Sequence, residues 1–218
     1  MKKRMMFFLC FTCLATIVKG QEEKKDESPF SVSMDMVNRY VWRGTDFGNS
    51  PHFQPNLKFT AGALNIGAWG SYSFSGNYQE ADLYASYSFP FGLTAGITDY
   101  YFPAGSIDST YFSHGHYLEF NGGFSFKGFS LAVNTMLSTP AKTNDIYVEL
   151  GYTLKNVTLF AGTGNEAYTS DGKFMVCNTG LKISHELKIT ENFSLPVYGL
   201  IILNPQKEQI HLVAGITF

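Results

Sequence analysis

The sequence predicts an all-β protein, a transmembrane up-and-down antiparallel barrel of about 12 strands. Three observations predict it. Apolar residues recur at a period of two along most of the chain, long and short connections alternate between those segments, and the composition is aromatic, glycine-rich and poor in charge. The 218 residues include 20 Phe, 13 Tyr, 2 Trp and 21 Gly, yet only 16% are charged, where a soluble domain is about one-quarter charged. Mean hydropathy is −0.06, and after the first 20 residues no run of about 20 apolar residues is available to span a bilayer as a helix. A secreted β-sandwich or lipocalin-like barrel would alternate too, with its apolar face inside. A closed sheet of about 12 strands, however, is too wide for its own side chains to fill. With so many aromatics on the apolar face, the membrane arrangement is favoured.

The chain opens with Met1-Lys2-Lys3-Arg4 and an uncharged, largely apolar stretch from Phe7 to Val18. That pattern predicts a signal peptide over residues 1–20, with Gln21 as the first mature residue. A single spanning helix is the alternative, but the apolar run is too short, and Glu22-Glu23-Lys24-Lys25-Asp26-Glu27 follows directly. Residues 21–29 then read as a short charged periplasmic tail, and 30–218 as the barrel. Loss of the leader removes Lys2, Lys3, Arg4 and Lys19 from 16 basic residues, leaving 12 against 18 acidic ones, a net charge of −6. That balance argues against nucleic acid, whose binders carry basic patches. Cys10 and Cys13 go with the leader, so the lone Cys177 is expected to pack as a small apolar side chain.

Strands follow almost without interruption. The first reads from Ser31 to Arg43, with Met34, Met36, Tyr40 and Trp42 on one face and Ser33, Asp35, Arg39 and Arg43 on the other. Phe53, Leu57 and Phe59 alternate with Gln54, Asn56, Lys58 and Thr60. Leu64, Ile66, Ala68, Tyr72 and Phe74 alternate with Asn65, Gly67, Ser71 and Ser73. Ala81, Leu83, Ala85, Tyr87 and Phe89 alternate with Glu80, Asp82, Tyr84, Ser86 and Ser88, and Ile146, Val148, Leu150 and Tyr152 with Tyr147, Glu149, Gly151 and Thr153. Further strands read at 93–101, 116–125, 129–137, 157–163, 175–185, 194–203 and 209–218. Tight connections such as Gly62-Ala63, Lys127-Gly128 and Lys155-Asn156 alternate with long ones at 44–52, 102–115, 138–145 and 164–174. Short hairpins at one end and long loops at the other describe an outer-membrane meander. An even strand number puts both termini at the short-turn end, expected to be periplasmic.

The last strand ends on Phe218, with Ile210, Leu212, Ala214 and Ile216 on the same face. A C-terminal aromatic on such a strand resembles the signal by which outer-membrane barrels are recognised for assembly. Two phrases sharpen the resemblance: Asn38-Arg39-Tyr40-Val41-Trp42-Arg43-Gly44, and then Phe53-Gln54-Pro55-Asn56-Leu57. With Gly67-Ala68-Trp69-Gly70-Ser71-Tyr72, Gly96-Ile97-Thr98-Asp99-Tyr100-Tyr101 and Ser194-Leu195-Pro196-Val197, they are similar to the TorF-type family of outer-membrane porins. The resemblance spans essentially the whole chain after the leader. It implies a barrel and a channel, without a defined substrate and without a catalytic motif. Expected partners are outer-membrane lipid and lipopolysaccharide, the barrel-assembly machinery and small solutes, and the oligomeric state stays open.

On the predicted lumen face the charged residues are Asp35, Arg39, Arg43, Lys58, Glu80, Asp82, Glu119, Glu149 and Lys182. Four are basic and five acidic. A ring of one sign would suggest ion selectivity; this mixture suggests opposed charges across a narrow or gated pore, or a salt-bridge lattice that closes it. Tyr40, Trp42, Trp69, Tyr72, Tyr100, Tyr101 and Tyr152 are expected in interfacial girdles. His114 and His116 sit at metal-ligand spacing but lack a third ligand, so exposed loop histidines are the favoured reading. Asp108, Ser109 and His114 share one loop, yet no nucleophile turn surrounds the serine, and His211 is isolated on the lumen face. Gly162-Thr163-Gly164 is followed by no helix and is not a phosphate loop, so no cofactor is expected. The sequence thus reads as a non-enzymatic outer-membrane porin for passive diffusion of small solutes. A structural barrel with a closed lumen is the first alternative and an outer-membrane lipid hydrolase the second.

Overall fold

A computed structural model describes residues 28–103, 111, 115–139 and 143–218. The predicted leader and most of the tail, together with Asp108, Ser109 and His114, lie outside the described residues. The strands are β1 (Phe30–Val37), β2 (Tyr40–Trp42), β3 (Thr45–Phe47), β4 (His52–Ala61), β5 (Leu64–Ser73), β6 (Gln79–Ser88) and β7 (Leu93–Tyr101). They continue as β8 (His116–Phe126), β9 (Phe129–Ser138), β10 (Ile146–Leu154), β11 (Val157–Glu166), β12 (Gly172–Lys188), β13 (Ser194–Asn204) and β14 (Gln209–Thr217). Twelve of them close into one antiparallel barrel, β1 and β4 to β14 in chain order, with β14 returning to β1; β2 and β3 form a separate hairpin.

The period-two pattern sets which face points where, because a one-residue slip would turn every side chain to the other side. Val32, Leu83, Leu150, Ile210 and Leu212 stand on the outer face, with Val32 79% exposed. On the inner face His52, Asn56, Ser71, Asn121, Asn134 and Thr217 are buried. The barrel is therefore apolar outside and polar inside, the reverse of a soluble sheet. Among the described residues no helix is long and apolar enough to cross a membrane.

The seam between first and last strand is the shortest ladder of the barrel wall: Asp35 faces Thr217, Met36 faces Ile216 and Val37 faces Gly215. Met34 and Phe218 extend it by exchanging both backbone hydrogen bonds, at 3.0 and 2.9 Å. At its upper end Asn38 takes over the role of a strand. Its backbone N–H donates to Ala214 O at 3.0 Å, its side-chain amide donates to Leu212 O, and its Oδ1 accepts from the Ala214 N–H at 2.7 Å. One asparagine thus satisfies the β14 edge where β1 leaves the wall.

Here the structure corrects the first predicted strand. It ends at Val37, not Arg43, and residues 38–51 form an extra hairpin rather than more wall. The cause is local. Trp42 pairs with Thr45, and between them Arg43 and Gly44 take φ values of 49° and 81°. Two consecutive positive φ angles are those of a two-residue type I′ hairpin turn. The alternation that extends through Tyr40 and Trp42 belongs to this hairpin.

Candidate functional site

The hairpin β2–β3 folds into the barrel, as its contacts around the wall show. Tyr40 packs on Trp69 of β5, on His52 of β4 and on Tyr78, while Trp42 meets Tyr100 of β7 edge-on and leans on Tyr168. His52 is fully buried, bridging Ser71 Oγ and the Phe47 carbonyl at 2.9 Å each. On the opposite wall the Asn204 amide donates to Gly44 O at 3.0 Å, and Lys207 Nζ reaches Thr45 Oγ1 at 3.1 Å. A wall of 12 strands leaves more room than its own side chains fill, and this hairpin occupies it.

Arg43 sits at the tip. Its Nη1 and Nη2 donate to Glu119 Oε1 and Oε2 at 2.6 and 2.9 Å, a bidentate fork, and Nη1 also donates to Tyr168 Oη at 2.5 Å. Glu119 is fully buried, and it further accepts from Tyr100 Oη at 2.8 Å and from the Asn121 amide at 2.6 Å. Three rings enclose the guanidinium: Trp42, Tyr147 and Tyr168, with centroids 4.3, 4.6 and 5.5 Å away. A charge this desolvated persists only when paired and hydrogen-bonded, and here both conditions are met. A non-glycine residue at positive φ costs about 1–2 kcal/mol. The fork offsets that strain, which the turn residues Lys127 and Lys155 bear as well, at φ values of 46° and 56°.

The wall is shaped to receive the tip. A bulge in β12, between the pairs Gly162–Asn178 and Thr163–Val176, leaves Cys177 unpaired and fully buried among Tyr147 and Tyr168. The Cys177 carbonyl meets the hairpin where it turns, for a Cβ on Gly44 would lie 2.1 Å from that oxygen. Only glycine satisfies both the angle and the approach. Gly162 works similarly from the wall, since a Cβ there would lie 2.0 Å from the Tyr147 hydroxyl oxygen and 2.6 Å from the ring. The Tyr168 phenol, in the loop after β11, is pushed above its ordinary range by burial, with Arg43 pulling the other way. Burial and the neighbouring Glu80 raise Tyr78 as well. Both stay protonated at neutral pH.

The nine predicted lumen charges are therefore arranged differently from one another. Asp35, Lys58, Glu80, Asp82, Glu119, Glu149 and Lys182 lie on the inner face of the wall, where Tyr198 Oη donates to Asp35 at 3.2 Å and the Lys182 ammonium lies 4.2 Å from the Tyr198 ring centroid. Tyr78 Oη donates to Glu80 at 2.8 Å, and Glu149 accepts from Tyr147 Oη and the Asn178 amide at 2.5 and 3.0 Å. Arg39 and Arg43 are not on the wall at all but on the hairpin, where Arg39 pairs with Asp46. Four of the expected girdle aromatics are likewise corrected: Tyr40, Trp42, Trp69 and Tyr100 pack inside around the hairpin, because it buries them there. Tyr72 and Tyr152 do face outward. Tyr101 is buried against Tyr111 and His116.

His116 contacts Asp99 through Nδ1 at 2.9 Å and the Tyr111 carbonyl through Nε2, so both ring nitrogens are engaged. Among the described residues no group of three His, Cys, Asp or Glu gathers for a metal. Sequence reasoning missed Cys177, Asn204 and Tyr168 as seats of the hairpin. The available signal was the Arg43-Gly44 pair between two alternating triplets.

A closed barrel of 12 strands, apolar outside and polar inside, with a hairpin folded into its bore, defines a porin-like β-barrel. More particularly, the chain belongs to the Gcw_chp family, described as bacterial proteins of unknown function, which it matches over residues 23–188. No curated protein matches it. Among solved structures it is similar to a KdgM porin, with a TM-score of 0.50 at 13% identity, covering 85% of this chain and 98% of that one. At that identity the likeness is one of fold.

Proposed function

We propose that the protein is an outer-membrane channel for passive diffusion of small solutes, its bore narrowed by the hairpin at residues 38–51. Both termini and the tight turns are periplasmic in this reading, and the long loops face outward. The apolar outer face, the leader-like opening, the terminal Phe218 and the resemblance to TorF-type porins support the location. Lipid and lipopolysaccharide contact the wall, and the assembly machinery reads the last strand.

One observation carries the reading: a hairpin pinned across a polar lumen by the Arg43–Glu119 fork. A wall that only needed filling would use apolar side chains, which replace a buried ion pair at no loss of stability. A hairpin held by charge can be released. The test is conductance of purified protein in planar bilayers. Wild-type protein should pass a small current, and Arg39→Ala with Arg43→Ala a larger one. A folded barrel that stays silent in both forms would favour the alternative, a structural barrel with a salt-bridged, closed lumen. That second reading draws on the same fork, buried on every side. The lipid-hydrolase reading rests on Asp108, Ser109 and His114, which lie outside the described residues.

A further inference from the structure

Apart from Trp42, the pocket that Arg43 fills is built by the wall and the loop after β11. Glu119 comes from β8, Tyr147 and Glu149 from β10, Tyr168 from the loop after β11 and Asn178 from β12. Each carboxylate is oriented independently of Arg43. Glu119 accepts from Tyr100 and Asn121, and Glu149 from Tyr147 and Asn178. Asn178 Oδ1 is buried beside them without a hydrogen-bond partner among the described residues. If the hairpin withdrew, Glu119 and the Tyr147 face would keep their places, since the ladders of β8 and β10 hold them, and Tyr168 packs on Tyr147 from the neighbouring loop.

Such a constellation recognises one kind of ion. A bidentate carboxylate matches the planar fork of a guanidinium and not the point charge of an ammonium, and the Tyr147 and Tyr168 rings add cation–π attraction. We infer that this pocket is a binding site for guanidinium-bearing solutes, and that Arg43 is its tethered occupant, narrowing the bore by standing in for the solute. An intramolecular ligand competes at an effective concentration in the millimolar range or above, so the wild-type pocket is closed to dilute solute. Withdrawal of the hairpin exposes it. Access from the lumen rests on the channel reading; binding itself is measured without it.

The probe is agmatine, with putrescine as the diamine that lacks the fork. In detergent, Arg43→Ala protein should gain about 2–4 °C in thermal midpoint as millimolar agmatine saturates the pocket. Putrescine should need at least about tenfold more for the same rise. Wild type should not shift, and Arg43→Ala with Glu119→Gln should lose the response. Arg43→Asn, which tolerates the positive φ of the turn, repeats the test if the alanine variant fails to fold. An equal response to both amines, or the same response with and without Glu119, would overturn the site. Silence of every variant in bilayers alongside a retained agmatine shift would remove the channel reading and keep the site.

Discussion

The barrel wall and the hairpin inside it are both antiparallel β-structure, yet they are stabilised by opposite means. The wall is a set of long backbone ladders whose side chains sort by face, so its register is fixed many times over. The hairpin has three residue pairs and no ladder to the wall. It is held by a few side-chain contacts: the Arg43 fork, the Asn204 amide, His52 and the ring cluster about Tyr40 and Trp42. Redundancy makes the wall insensitive to single changes except at its seam. The lack of it makes the hairpin removable, the property on which the proposed opening of the lumen depends.

The largest effects should come from the seam and the fork. Loss of Phe218 removes both hydrogen bonds to Met34 from the shortest ladder of the wall and should reduce the yield of assembled barrel severely, while Thr217→Ala leaves it close to wild type. Equal membrane yields would show that the seam does not limit closure. Next, Glu119→Ala strands a buried guanidinium, which costs about 3–5 kcal/mol, and the cheaper outcome is release of the hairpin. Cys177 reports this release. With Cys10 and Cys13 replaced by serine, its fully buried thiol should react slowly with a membrane-impermeant maleimide in wild type and many-fold faster in Glu119→Ala.

Smaller changes should grade the hairpin. Gly44→Ala adds a Cβ 2.1 Å from the Cys177 carbonyl at a φ of 81°, and it should raise thiol reactivity nearly as much. Asn204→Ala removes its hydrogen bond to Gly44 O on the hairpin and the one its Oδ1 accepts from the Lys207 N–H, each worth about 1 kcal/mol, for a several-fold rise. Arg39→Ala breaks a pair whose arginine is 39% exposed, worth about 0–1 kcal/mol, and should change the rate little. A reversal of this order between Arg39 and Glu119 would show that the tip does not anchor the hairpin.

How far the sequence could be read follows the same division. Alternation at Phe53 to Ala61 or Ile146 to Thr153 has one cause, a wall between two media, so period and turn residues place those strands within a residue or two. At Ser31 to Arg43 the alternation has two causes in succession. Met34 and Met36 face outward, whereas Tyr40 and Trp42 face across the lumen, and period two is blind to the change at Asn38. The inner-face charges Glu80, Asp82 and Glu119 were legible from their side of the strand. Their partners were not, because a fork between residues 43 and 119 depends on where a short hairpin points. Cys177 was hidden for a related reason: a bulge in β12, with no mark in the sequence, turns it inward.

The register offers a direct way to test whether the hairpin is what closes the bore. Val37 and His52 face each other across β1 and β4, so residues 38–51 can be replaced by the two-residue turn Asn-Gly, which keeps an asparagine after Val37. The measurement is single-channel conductance of the shortened barrel beside wild type in the same salt. The hairpin account predicts a folded barrel whose conductance is at least several-fold higher. A folded, shortened barrel with the wild-type conductance would contradict it.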